Sequence, residues 1–314
     1  LRKNQALMLM IPLATVKPHK DTSYFLMLAA YERGHEVFFI DQNHLGLEGK
    51  TPYARATQLK VSSEHKKPFT ELNTSHQELD CFDVLLVRKD PPFDRRYFYT
   101  TLILDFVNTK STRVVNAPQA LRDWNEKLSA LYYHAYTPLT KVSSDLNEIE
   151  EFVYEKKQAI LKPIDGHGGR GIVLLKEDDR DLKKKITSAI LGGKKVMVQE
   201  FVKEAAIGDK RILLVDGEPI GAVLRVAQQA GGLNNLDQGG VAHPAELTEH
   251  EKKVCKDLSI RLKAQGLFFV GIDMLGPYLT EINVTSPTGL QELVNFSGIP
   301  FHHKIIEKLE EKKT

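Results

Sequence analysis

The first third of the chain alternates short apolar runs with amphipathic stretches: Ala6-Leu-Met-Leu-Met-Ile11, then residues 24–33 closed by Gly34, then Val37-Phe-Phe-Ile40. Short unbroken apolar runs suit strands buried on both faces, and a longer stretch ending in glycine suits a helix that stops in a left-handed residue. The pattern predicts a β-α-β unit. Asp83-Val-Leu-Leu-Val87 reads as a further buried strand, residues 97–108 as a helix, and Arg113-Val-Val-Asn116 as a strand before a proline-led helix. A small parallel sheet flanked by helices is expected here.

Residues 147–191 give a helix, a strand (Ala159-Ile-Leu-Lys162), a glycine-dense turn, a strand (Gly171-Ile-Val-Leu-Leu175) and a second helix. That predicts a compact α+β unit. From Lys195 onward strands dominate: Val196-Met-Val-Gln199, Arg211-Ile-Leu-Leu-Val215 and residues 219–226, with Asp216-Gly217 as a hairpin turn. An antiparallel sheet is expected. A helix over 249–265, capped by Thr248 and ended by Gly266, precedes two strands, 268–274 and 278–284, joined by Gly276-Pro277. Without repeats or a long linker, 314 residues suggest two or three packed subdomains.

Charge and composition narrow the partners. A net charge of +2, spread over 43 basic and 41 acidic residues, makes no field that would recruit a polyanion, so no nucleic acid is expected. The apolar opening stretch, 6–14, is too short to span a bilayer and shows no signal-peptide cleavage pattern. No membrane partner is expected, and the chain reads as cytoplasmic. Cys81 and Cys255 lie far apart without metal-ligand spacing and read as inert thiols in a reducing compartment. None of the eleven histidines has metal-ligand spacing, and no nucleophile motif is present. Covalent nucleophilic catalysis is therefore not expected.

Three constellations carry candidate chemistry. Asp273, Glu281 and Asn283 sit on adjacent strands, and residues two apart on a strand share a face, so three oxygen donors are presented together. Spacing supports a hard-cation site and a hairpin of solvated acids equally. The apolar run Phe268-Phe-Val-Gly-Ile272 favours the cation, because a carboxylate at its end is costly unless paired. In Lys162-Pro-Ile-Asp-Gly-His-Gly-Gly-Arg-Gly171, glycine amides around Gly168 and Gly169 and the Lys162 charge can cradle phosphate, or form a tight turn. The spacing is neither a Walker A nor a Rossmann fingerprint. Gln199-Glu-Phe-Val202 can border an adenine ring, with Asp209 on the ribose; an edge strand entering a loop would look the same. Arg211 and Arg225, on neighbouring strands, can converge on an anionic oxygen or lie on the surface. Lys127, on a helix beginning near Asp123, reads equally as a solvated residue. Arg88, at the C-terminal end of a buried strand, can hold a substrate carboxylate or pair with Asp90.

The order of these features resembles the ATP-grasp superfamily. Leu279-Thr-Glu-Ile-Asn-Val-Thr-Ser-Pro-Thr288, Gly208-Asp-Lys-Arg-Ile-Leu-Leu-Val-Asp-Gly-Glu-Pro219, Arg88-Lys-Asp-Pro-Pro-Phe-Asp94 and Asn116-Ala-Pro-Gln-Ala-Leu-Arg-Asp-Trp-Asn-Glu-Lys127 more narrowly resemble bacterial glutathione synthetases. The resemblance implies an α/β (α+β) ATP-grasp fold: an N-terminal parallel α/β domain over 1–124, a central lid over 125–197 and a C-terminal antiparallel-sheet subdomain over 198–314. It implies that Lys127, Lys162, Gly168 and Gly169 meet ATP phosphates. Gln199, Glu200, Phe201 and Val202 would face adenine, and Asp209 the ribose. Asp273, Glu281 and Asn283 would hold two Mg²⁺ ions, with Mn²⁺ as an alternative. Arg211 and Arg225 would steady the transferred phosphoryl, and Arg88, Asn283, Thr285 and Ser286 would lie beside γ-glutamylcysteine. That dipeptide's carboxylate would be phosphorylated and glycine's amine would displace phosphate, in a homo-oligomer. Such an intermediate needs water excluded, and glycine-rich segments 166–171 and 231–240 suit lids. The second departs from the family pattern: it reads Leu233-Asn-Asn-Leu236 and Gly239-Gly-Val241 where bases are usual. Another acid and amine pair, or a non-catalytic nucleotide-binding module, are the alternative expectations.

Overall fold

The computed structural model describes residues 6–10, 13–228 and 239–311. Strand β1 (Ala6–Met10), helix α1 (Thr22–Glu32) and strand β2 (Glu36–Ile40) form the anticipated β-α-β unit, with the two strands parallel. Asp21 caps α1 by accepting from the Ser23 and Tyr24 amides, and Gly34 follows it at φ 87°. Next come β3 (Leu45–Glu48), β4 (Thr51–Val61), β5 (Phe69–Glu78), β6 (Val84–Val87), α2 (Arg95–Leu104) and β7 (Arg113–Val115). The sheet order is β3-β4-β2-β1-β6-β7, with β5 also paired to β4. Strands β2, β1, β6 and β7 are parallel, whereas β3, β4 and β5 are antiparallel. The sequence pattern had shown the parallel part alone. Much of β5 is exposed and polar, so it leaves no alternation to read.

Helix α3 (Pro118–Asp123) stops before Trp124, and a 3₁₀ segment starts at Leu128. Lys127 heads that segment; no helix carries it from Asp123, as the sequence reading expected. The central unit contains β8 (Thr140–Ser143), α4 (Leu146–Lys156), β9 (Gln158–Pro163), β10 (Val173–Lys176), α5 (Leu182–Ala189) and β11 (Val196–Glu200). Its strands form an antiparallel sheet in the order β10-β9-β11-β8. Ile149, Phe152 and Val153 of α4 and Leu182 and Ile186 of α5 pack with Leu161, Leu175 and Val198 in a core of its own. Strand β11 lies inside this sheet, between β9 and β8, so the division at 197/198 falls inside a strand.

The third sheet comprises β12 (Asp209–Val215), β13 (Glu218–Val226), β14 (Val241–Ala245), then after α6 (Glu249–Ala264) β15 (Phe269–Leu275) and β16 (Tyr278–Asn283). Its order is β14-β13-β12-β15-β16, antiparallel throughout. Asp216 and Gly217, at φ 51° and 73°, make the tight β12–β13 turn. Helices α7 (Leu290–Ser297) and α8 (Phe301–Glu310) follow, beyond the last element the pattern had suggested.

The first and third sheets share their cores. Leu85, Tyr97 and Trp124 cluster with Ile212, Leu258 and Ile272, and Leu26 and Leu86 cluster with Phe269 and Ile306. Asn116, buried just after β7, fastens the two. Its amide nitrogen donates to Phe269 O at 2.9 Å and Val284 O at 2.7 Å. Its carbonyl oxygen accepts from the Phe268 and Phe269 amides at 2.8 and 2.9 Å. Among the described residues no helix is long and apolar enough to cross a membrane.

Candidate active site

The β15–β16 hairpin carries the acidic group. Asp273 pairs with Glu281 and Gly271 with Asn283, while Thr280 bulges between Glu281 and Leu279 and donates its hydroxyl to Asp273 O at 3.1 Å. Arg211 lies opposite Asp273 on the neighbouring strand and grips its carboxylate through Nε and Nη2 at 2.5 and 2.9 Å. Arg225, one strand further, reaches Asp209 Oδ2 at 2.6 Å and Asp273 Oδ2 at 3.0 Å. Antiparallel register has therefore turned two sequence-distant arginines onto one carboxylate. Burial pushes the Asp273 carboxyl up, but the charges and hydrogen bonds of Arg211 and Arg225 outweigh it and hold it well below the usual carboxylate range. Burial keeps Asp209 above that range despite Arg225. The compensation that the sequence argument assigned to a metal at Asp273 comes from two guanidinium groups. Asp209 Oδ1 and Arg225 Nε remain buried without a partner among the described residues.

The lysines approach from the central unit and the segment before it. Lys162, buried on β9, donates to Gln199 Oε1 at 2.7 Å, and Gln199 Nε2 donates to Thr140 Oγ1 at 3.0 Å. Gln199, expected beside the nucleotide, braces the lysine. Burial lowers the Lys162 pKa, and Glu281 opposes that shift in part. Lys127 Nζ donates to Gly166 O at 2.5 Å and lies 3.5 Å from Glu281 Oε1. Gly168, Gly169 and Gly171 adopt φ of 60°, 79° and 74°, the left-handed region in which exposed amides line a concave turn. The Glu200 and Phe201 amides donate to Leu139 O and Gln158 O at 2.9 and 3.3 Å, with Glu200 exposed and Val202 buried at the C-terminal end of β11.

On the other side, Arg88 is buried at the end of β6. Its Nε donates to Ser23 Oγ at 3.1 Å and its Nη2 to Pro287 O at 2.9 Å. Asp90, the partner considered for it from sequence, accepts from the Ser286 hydroxyl instead. A cleft of about 680 Å³ brings together Arg88, Gly168, Arg211, Arg225, Glu281 and Asn283, with Thr285 and Ser286 beside them. Lys162 and the 199–202 segment stand outside its lining. The second glycine-rich segment, 231–240, falls mostly on 229–238, outside the described residues.

Glu126 was not legible as a site residue; its one signal was its place before Lys127. Its Oε1 accepts from Val284 N, Thr285 N and Thr285 Oγ1 at 3.0, 3.1 and 2.8 Å.

A cleft of oxygen donors and cations, with glycine amides at one end and no nucleophile motif in the chain, suits phosphoryl transfer, which needs positioning and charge neutralisation more than covalent chemistry. Together with the sheet order, this defines an ATP-grasp ligase. Solved structures of similar course are D-cycloserine synthetase DcsG (TM-score 0.67, 16% identity, 97% of this chain and 100% of that one) and a Chryseobacterium gregarium RiPP-associated ATP-grasp ligase (TM-score 0.65, 16% identity, 99% and 98%). Family models for the N-terminal domain and the ATP-grasp domain of prokaryotic glutathione synthetase match residues 5–122 and 126–298. A glutathione synthetase of Synechococcus elongatus is 39% identical over 309 residues, covering 95% of this chain and 96% of that one. The chain belongs to the prokaryotic glutathione synthetase family, and is an ATP-dependent ligase that forms an amide bond.

Proposed function

We propose that the cleft takes ATP and γ-glutamylcysteine together and joins the dipeptide to glycine, releasing glutathione, ADP and phosphate. The observation that carries this reading is the convergence of Arg211 and Arg225 on Asp273, facing Glu281 and Asn283 on the next strand. A dipeptide carboxylate oxygen attacks the γ-phosphorus, and the bond to the bridging oxygen breaks as ADP leaves. The glycine nitrogen then attacks the acyl carbon, and the carbon–oxygen bond to phosphate breaks. Arg211 and Arg225 stabilise the phosphoryl oxygens in both steps with planar guanidinium donors. Lys127, Lys162 and the Gly168 and Gly169 amides orient the phosphates, Glu200, Phe201 and Val202 border the adenine, and Asp209 offers its unpartnered oxygen to the ribose. Arg88, Asn283, Thr285 and Ser286 hold the dipeptide.

The donor set fits Mg²⁺. Among the described residues no three His, Cys, Asp or Glu side chains gather into a closed metal cage. Mg²⁺ instead takes one or two carboxylates and completes its shell with phosphates and water. Asp273 Oδ2 already receives three donors, Arg211, Arg225 and Asn283, whereas Oδ1 receives one and keeps acceptor capacity. Asp273, Glu281 and Asn283 would therefore hold the ions, two in number or Mn²⁺ in their place, which when bound neutralise phosphate charge. We place the enzyme in the cytoplasm as a homo-oligomer, on family resemblance.

The test is ADP release that requires both γ-glutamylcysteine and glycine. Absence of turnover with that pair, against turnover with another acid and amine, transfers the reading to a sister ligase. Glu281→Gln is expected to lower turnover at least ~100-fold without moving the thermal unfolding midpoint; undiminished activity refutes the assignment.

A further inference from the structure

Glu126 and Lys127 stand where the parts of the site meet. The Glu126 main-chain oxygen accepts from Ile282 N at 2.8 Å, between Glu281 and Asn283. Strand β16 ends at Asn283, so the Val284 and Thr285 amides pass beyond its ladder, and Glu126 Oε1 takes both of them and the Thr285 hydroxyl. Three donors converge on that one oxygen at 2.8 to 3.1 Å, and an sp² oxygen has the acceptor capacity for them. The turn so held continues through Ser286, bonded to Asp90, and Pro287, whose oxygen anchors Arg88. Lys162 and Arg225 are anchored elsewhere, on Gln199, Asp209 and Asp273, while Arg211 is held by Asp273 at 2.5 and 2.9 Å and also donates Nη1 to Thr288 O at 3.3 Å, just past the turn. Glu126 also lies between the main cleft and an adjoining chamber of about 190 Å³, lining both.

We propose that Glu126 is a positioning residue for the carboxylic-acid substrate: it fixes the turn at 284–287 so that Thr285, Ser286 and Arg88 meet that substrate, and leaves nucleotide binding to others. The inference rests on the ligase reading of the cleft given above. Two features separate positioning from a general effect on folding. The Glu126 side chain, as distinct from its main chain, secures only Val284 and Thr285, past Glu281 and Asn283, and a glutamine keeps an sp² oxygen at the same reach for the same donors.

The test is steady-state kinetics of wild type, Glu126→Ala and Glu126→Gln, varying γ-glutamylcysteine and ATP separately at saturating glycine. Glu126→Ala is expected to raise the dipeptide KM on the order of tenfold or more, with the ATP KM within about twofold, because buried donors lose their acceptor. Glu126→Gln is expected to recover most of that loss. If Glu126→Ala does not fold, Thr285→Val, which removes one of the three donors, is expected to shift the same KM by a smaller factor. An unchanged dipeptide KM, or equal rises in both KM values, overturns the proposal. So does a folded Glu126→Gln as impaired as the alanine variant, since that outcome demands a charge or a proton acceptor. Wild-type enzyme inactive with dipeptide and glycine sinks the functional reading instead.

Discussion

Lys162 is a buried ammonium whose hydrogen bond goes to a neutral amide, Gln199 Oε1. Burial lowers its pKa below the ordinary lysine value of about 10.4. The sign follows directly. The folded protein loses this proton before the unfolded chain does, so the penalty of the buried charge is present below the folded pKa and relieved as pH rises towards the ordinary value. Phosphate oxygens placed beside Nζ, as proposed above, would favour the charged form, so between those two values ATP binding is expected to take up a proton. Calorimetry in buffers of different ionisation enthalpy is expected to show that uptake as pH rises towards the ordinary lysine value and to lose it in Lys162→Met; identical uptake in both would detach Lys162 from the phosphates. Lys162 was readable as a cation at the foot of a glycine turn, and Arg211 and Arg225 as arginines on neighbouring strands. That Gln199 braces Lys162, and that Arg211 and Arg225 share Asp273, depends on which way side chains point across strands 37 to 62 residues apart in sequence.

The turn between β9 and β10 tests how local geometry serves the nucleotide. Gly168 and Gly171 both have positive φ, yet an added Cβ meets nothing within 4 Å at Gly168, and Pro163 Cγ at 2.8 Å at Gly171. Alanine at either position incurs the left-handed penalty of about 1–2 kcal/mol. At Gly171 the turn must also move away from β9, which carries Lys162. Gly171→Ala is therefore expected to raise the ATP KM several-fold more than Gly168→Ala, and equal effects would show that the turn does not position the phosphate site. Elements closed by short-range signals were legible, among them α6 with its Thr248–Glu251 capping box and the Asp216-Gly217 turn. Strands β5 and β8 were not, because a polar edge strand or a short half-buried one has little periodicity of its own.

Across the molecule, the first and third sheets share two apolar cores whereas the central sheet has a separate one. Arg88, Asp273 and Glu281 thus stand on one jointly packed body, and the central unit packs around its own core. Asn116 holds that body together with four buried hydrogen bonds. Asn116→Ala leaves the opposing groups unpaired and is expected to lower stability to urea by about 3 kcal/mol or more. A loss below about 1 kcal/mol would mean that the apolar clusters alone join the sheets.

Turns, caps, the β-α-β start and the oxygen-donor hairpin were present in residue order, because their hydrogen bonds and glycine conformations close within a few positions. The chain's similarity in motif order likewise named an ATP-grasp ligase before any distance was known. Which sheet received β11, what neutralised Asp273 and what held Thr285 were settled by pairings across 33 to 159 residues. Apolar strands of similar composition can pair with several neighbours, and burial of the whole core selects among them.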